Sequence, residues 1–198
     1  MRFLNNELQR LKEYSGIAEI GDIARRYFAM NAFDGILTMI GVLMGNYAAQ
    51  VEDATIVVST GLATCIAMGI SGLWGAYLTE AAERKRDLNA LEDHTLTDLS
   101  RSKVGRASRA AVIIVALIDG SAPLLASLVV LIPFLFSALL RDTNLSYRLS
   151  LGMALAALFA LGAFLGKLSK ESVLLSGLKM IVAGLLSIAL SHFLRVSR

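Results

Sequence analysis

Charge is scarce in this chain, cysteine occurs once and proline twice. Asp, Glu, Lys and Arg make up 18% of the residues, where soluble domains carry about 25%. The charge that exists falls between apolar runs. Several of those runs exceed about 18 residues, which excludes an ordinary soluble helical bundle. The lone cysteine, Cys65, excludes an intrachain disulfide, and nothing points to an oxidising compartment. No Walker loop, Rossmann fingerprint, HExxH or nucleophile elbow occurs, so the chemistries those motifs carry are not indicated. The start, MRFLNNELQRLKEY, has neither an apolar signal core nor a small-residue cleavage site, so no signal peptide is expected.

What is present is apolar: 56% hydrophobic residues and a mean hydropathy of +0.63. The pattern predicts an all-α, polytopic membrane helical bundle. Five spans are expected, at 27–48, 54–78, 110–138, 149–167 and 173–194. They form one transmembrane domain, 25–198, with a loop at 79–109, preceded by an amphipathic segment, 1–24. In that segment Phe3, Leu4, Leu8 and Leu11 recur at helical spacing, as in a helix lying on a membrane surface or packed on the protein's own loops. Arg25, Arg26 and Tyr27 follow as a basic and aromatic anchor. The third span contains Pro123 and Pro133 and is expected to tilt, kink or break there; a break would raise the total to six.

Net charge is +3. In a soluble chain that would suggest nucleic acid, but here topology accounts for it, and no nucleic-acid partner is expected. The N-terminal segment and the 79–109 loop hold most of the Lys and Arg, whereas the link between spans one and two holds only Glu52 and Asp53. The positive-inside rule then puts the N-terminus and the 79–109 loop in the cytoplasm. With no organelle address in view, the expected location is the cell membrane.

Asp34 carries the functional signal. It is the only charge in YFAMNAFDGILTMIGVLMGNYA (27–48). A carboxylate inside a span is costly and by default marks a functional site. Asp119 interrupts the third span in the context ALIDGSAPLL, at a similar depth if spans one and three run the same way. The likeness of NAFDGILT to ALIDGSAP hints at a weak internal repeat. Met30, Asp34, Thr38, Gly41 and Gly45 share one helical face, with Asn31 beside them. Carboxylate, amide, hydroxyl and thioether together suit a transition-metal ion. Pro123 has no N–H, which leaves the Asp119 carbonyl without its usual helical partner. A free carbonyl beside a carboxylate resembles the cation-coordinating breaks of transporter helices.

Two further clusters stand in the 79–109 loop. Glu80, Glu83 and Asp87 lie near one helical face, and Glu92, Asp93 and His94 form a second acidic group. A helical extension there could recruit divalent cations; a solvated helix of alternating charge is the plainer reading. Small residues at Gly41 and Gly45, at Gly69, Gly72 and Gly75, and at Gly162 and Gly166 mark close helix packing, within the bundle or across a dimer.

The chain resembles the vacuolar iron transporter family. The resemblance rests on Arg26-Tyr27 with FDGILTMIGVLMG (Phe33–Gly45), on ISGLWGAYLTE (Ile70–Glu80), on Ile132–Phe134 and on SGLKMIVAGLLS (Ser176–Ser187). It implies a five-helix protomer forming a homodimer, with an ion path between protomers. Through that path Fe2+ or Mn2+ leaves the cytosol in exchange for protons. Asp34 corresponds to the aspartate of the family's first helix. Gly72 stands where the family's second helix often supplies a methionine, with Met68 one turn earlier as the substitute. Ala76 replaces the glutamate of the family's Gly-Glu-Tyr stretch. The 79–109 loop is a shortened version of the family's glutamate-rich module, and Asp119 is outside the pattern of its eukaryotic members.

The expected function is thus a proton-coupled transporter of iron or manganese, not an enzyme. Asp34 and Asp119 would be the ion-binding carboxylates, Met30, Asn31, Thr38 and Met68 would line the path, and Glu80 and Glu83 would hold metal outside it. Intramembrane carboxylates suit alternation between proton and metal. No permanently bound cofactor is expected. Two other readings are a non-transporting membrane scaffold and an intramembrane aspartyl protease. The protease needs two aspartates on separate helices, but neither Asp34 nor Asp119 has the tyrosine or Gly-x-Gly context of such enzymes.

Overall fold

A computed structural model of the chain describes residues 20–137 and 142–196. The amphipathic helix expected at 3–13 lies outside the described residues. Five helices follow one another: α1 (Ile20–Ala48), α2 (Ala54–Thr95), α3 (Lys103–Leu135), α4 (Thr143–Leu168) and α5 (Val173–Val196). Among the described residues there is no strand. All five helices are long and apolar enough to cross a membrane. A helix satisfies its backbone groups internally, which lipid demands. The protein is therefore a multi-pass membrane protein, with five candidate spans among the described residues rather than six. The boundary expected at 24/25 falls inside α1.

α2 is 42 residues long, or about 63 Å, roughly twice the hydrocarbon core of a bilayer. Its apolar part accounts for the crossing. The charged part, 79–95, continues the same helix, because its Glu, Ala, Lys, Arg and Leu are strong helix formers.

Of the three outcomes open for the third span, a break is absent: α3 runs through both prolines. Membrane helices tolerate proline where neighbours accommodate the freed backbone. The Ser127 hydroxyl donates to the Pro123 carbonyl at 2.6 Å. Beside the Asp119 carbonyl stands Gly72, where a methyl group would come within 2.9 Å of that oxygen. Pro133 lies in the last turn, so the helical bond that its missing N–H gives up is close to the end of α3.

The chain forms two compact units. One comprises the described chain up to Phe28 together with Ile70–Ser121; the other comprises Ala29–Gly69 and the described chain from Ala122 onward. In the first, Ala107 and Ala111 of α3 are buried against Ala24 and Ile114. The Arg26 guanidinium lies 5.7 Å from the centre of the Tyr27 ring, so the expected anchor is a cation–π pair.

The second unit has the larger core. Met39, Ile40 and Leu43 of α1 are fully enclosed with Val57 and Cys65 of α2, Phe134 of α3 and Leu158 of α4. Lipid is as apolar as these side chains, so close packing rather than water exclusion holds them. Glycine provides the closeness. A methyl at Gly162 of α4 would lie 2.5 Å from the Ser176 carbonyl of α5, and one at Gly177 would lie 2.5 Å from the Phe159 ring. The packing role expected for Gly162 is met. Short links join the helices. The Tyr147 hydroxyl donates to the Val51 carbonyl at 3.0 Å, and that of Thr143 to the Glu52 carbonyl at 2.8 Å. These bonds tie the start of α4 to the α1–α2 turn.

Candidate ion path

Asp34 is placed by its neighbour. Gly35 faces inward, against the backbone of Pro123; a methyl there would lie 2.6 Å from the Pro123 carbonyl oxygen and 2.7 Å from its Cα. Successive residues of a helix point about 100° apart, so Asp34 is carried to the outside and is exposed. Among the described residues its carboxylate has no hydrogen bond or ion pair. Met30 and Thr38, one turn to either side, are exposed as well, and Asn31 is half-buried. Gly41 and Gly45 continue the same face, and a methyl at either would meet nothing within 4 Å. The predicted face therefore exists, but among the described residues nothing packs on its glycines. Gly75 of α2 is open in the same way, whereas Gly72 packs closely against Asp119 and Gly120.

Met68 is half-buried and belongs, like Asp34, to the second unit. Asp119 is buried in the first unit, at 8% exposure. Glu80 is also buried there, with the Arg84 Nε 3.4 Å from its Oε2. Glu83 and Asp87 are exposed, so the three acids do not share an environment. Sequence reasoning passed over Arg84, although its four-residue spacing from Glu80 is that of a helical ion pair. Among the described residues, no three His, Cys, Asp or Glu side chains come together to hold a metal ion.

The second acidic group has a structural use. Glu92 accepts the Leu99 N–H at 2.7 Å and so fastens the α2–α3 link. Asp98 accepts the Ser100 N–H at 2.8 Å. Hydrogen bonds from the Ser100 side chain and backbone hold the Asp98 carboxyl below its ordinary range. Asp93 and His94 are exposed.

Residues 26–99 match the VIT family. The chain is also 34% identical over 177 residues to an uncharacterized protein of Methanocaldococcus jannaschii, an alignment that covers 88% of this chain and 89% of that one. The chain belongs to the VIT family. This is a family of membrane transporters of metal ions, the one the sequence resembles, and the five spanning-length helices agree with that class. The VIT match takes in Asp34, Met68, Gly72, Glu80 and Glu83 together with the whole charged extension of α2. Asp119 and the α4–α5 pair lie beyond it.

Proposed function

We propose that this VIT-family protein is a homodimer that exports Fe2+ or Mn2+ from the cytosol in exchange for protons. The observation that carries the reading is the open face of α1, where a carboxylate in an apolar span stands uncovered beside two uncovered glycines. An ionised group facing lipid at that depth costs several kcal/mol, about 3 on insertion scales. A second copy packed on Gly41 and Gly45 removes that cost. A two-fold axis there pairs the same surface from each chain and brings two Asp34 carboxylates to one path. The Met30 thioether and the Thr38 hydroxyl join them from each side. Mixed oxygen and sulfur donors favour a transition metal over Mg2+ or Ca2+. Each carboxylate carries either a proton or a share of the ion, which links the two fluxes. Asp119 and Met68 serve the same route, and Glu80 and Glu83 stand at its cytoplasmic approach. In this reading the N-terminus lies in the cytoplasm of a cell-membrane protein, an orientation that the loop charges support.

The test is uptake of Fe2+ and Mn2+ into proteoliposomes under an opposing pH gradient, for wild type, D34N and D119N. Loss in both variants supports a two-carboxylate path; loss in D34N alone leaves Asp119 structural. If D34N transports as well as wild type, the mechanism is wrong. If folded wild type moves neither metal, the scaffold reading takes its place.

A further inference from the structure

A second site lies where α2 leaves the membrane, and nothing in the transport reading uses it. A cavity of about 380 Å³ opens between the outer part of α2 and the first turns of α3, all within the first unit. One end of its lining is cationic: Arg84, Lys85 and Arg109, with the Ser108 hydroxyl beside them. The other end is apolar: Tyr77, Val112 and Ile113. No Asp or Glu is part of the lining. Arg84 is engaged with Glu80, but Lys85 and Arg109 have no carboxylate partner among the described residues and are exposed.

The change from apolar to cationic lining coincides with the membrane boundary. On α2 it falls between Tyr77 and Arg84, where the apolar run ends; on α3 it falls between Arg109 and Val112, where the apolar run begins. Trp74 and Tyr77 pair at 6.3 Å and are exposed at this level, as aromatic residues are at a membrane interface. A ligand that fills the cavity therefore has an anionic group at headgroup depth and a hydrocarbon part below it. The volume falls within the range of small-molecule sites, about 300–1,000 Å³.

We propose that this cavity binds the headgroup of an anionic phospholipid, its phosphate among Arg84, Lys85, Arg109 and Ser108 and its acyl chains along Tyr77 and Ile113. Arg and Lys clusters just outside a span attract anionic lipid by about fivefold per charge. The site does not depend on what the protein transports.

Native mass spectrometry of the purified protein during lipid titration tests this, with phosphatidylglycerol set against phosphatidylcholine. Wild type retains phosphatidylglycerol preferentially, and the double variant Lys85→Gln/Arg109→Gln loses the preference by about tenfold or more. Lys167→Gln/Lys170→Gln, which removes the same charge at the end of α4, retains it. Free glycerol phosphate at the same concentration does not displace the lipid. Equal retention of the two lipids overturns the proposal, as does a preference lost equally in both double variants. Displacement by glycerol phosphate overturns it in favour of a soluble-anion site. Unchanged circular dichroism of the variants separates lost binding from lost folding.

Discussion

Along α1, Ile36, Met39, Ile40 and Leu43 are sealed at 2% exposure or less, while Met30, Asp34, Thr38, Gly41 and Gly45 on the other face are open. In a soluble helix the two sides would differ in polarity. Here both are largely apolar, because lipid or protein must be met all round. What distinguishes them is size and chemistry: large aliphatic side chains and one close-packed glycine within, and small residues with one acid without. The inner face completes the protomer. The outer face is incomplete in a single chain, and function is proposed there for that reason.

The largest effect that would break this contrast is on transport. Asp34→Asn keeps the volume and removes the charge, so uptake of Fe2+ or Mn2+ should fall at least about a hundredfold, roughly the size of losing a group used in the chemistry, with thermal stability little changed. A stability loss instead would place Asp34 with the inner face. Next is Gly35→Ala. Its methyl meets the Pro123 backbone, which cannot swing aside as a side chain does, so unfolding in detergent should be easier by about 1–3 kcal/mol. An unchanged midpoint would mean that α1 does not sit against Pro123 as described.

Smaller still, within one chain, is Gly41→Leu with Gly45→Leu. Among the described residues nothing stands within 4 Å of either added Cβ, so protomer stability should shift by less than about 0.5 kcal/mol. The same pair should turn a dimer into a monomer by light scattering in detergent. A dimer that survives both leucines has its interface elsewhere. The smallest effect concerns an aspartate outside the membrane. Asp98 takes its hydrogen bonds from Ser100, whereas Asp34 has none among the described residues. The Asp98 carboxyl is held below its ordinary range. Its contribution is therefore present above the unfolded carboxylate pKa of about 4 and is lost as pH falls through the lower folded value. Amide exchange at Ser100 should quicken over that acid window, and Asp98→Asn should remove the dependence.

The spans and the face bearing Asp34 were legible because both rest on local regularities, run length and helical spacing. The uses of the glycines were not. Gly35, Gly41, Gly45 and Gly72 look alike in sequence, and only the neighbour across each one distinguishes a tight contact from an open surface. The prolines left tilt, kink and break open for the same reason. A missing N–H at Pro123 allows any of them when α3 is considered alone, but Ser127 and the close approach of Gly35 surround that position. Glu80 was read as a possible metal ligand from its charge; its pairing with Arg84 was open in their four-residue spacing, but its burial depends on the packing of α2, which composition does not reveal. Asp119 was recognised as unusual, and its burial is in keeping with that.

Cys65 has a practical consequence. It is the only thiol in the chain, it is 1% exposed, and the Ser127 hydroxyl lies 3.1 Å from its sulfur. A water-soluble maleimide added to the folded protein should leave it unlabelled, so the native chain is in effect a cysteine-free background for site-directed chemistry. A cysteine introduced at Gln50 in the α1–α2 turn, or at Lys170 in the α4–α5 turn, would report by its labelling in intact cells which side of the membrane each turn occupies.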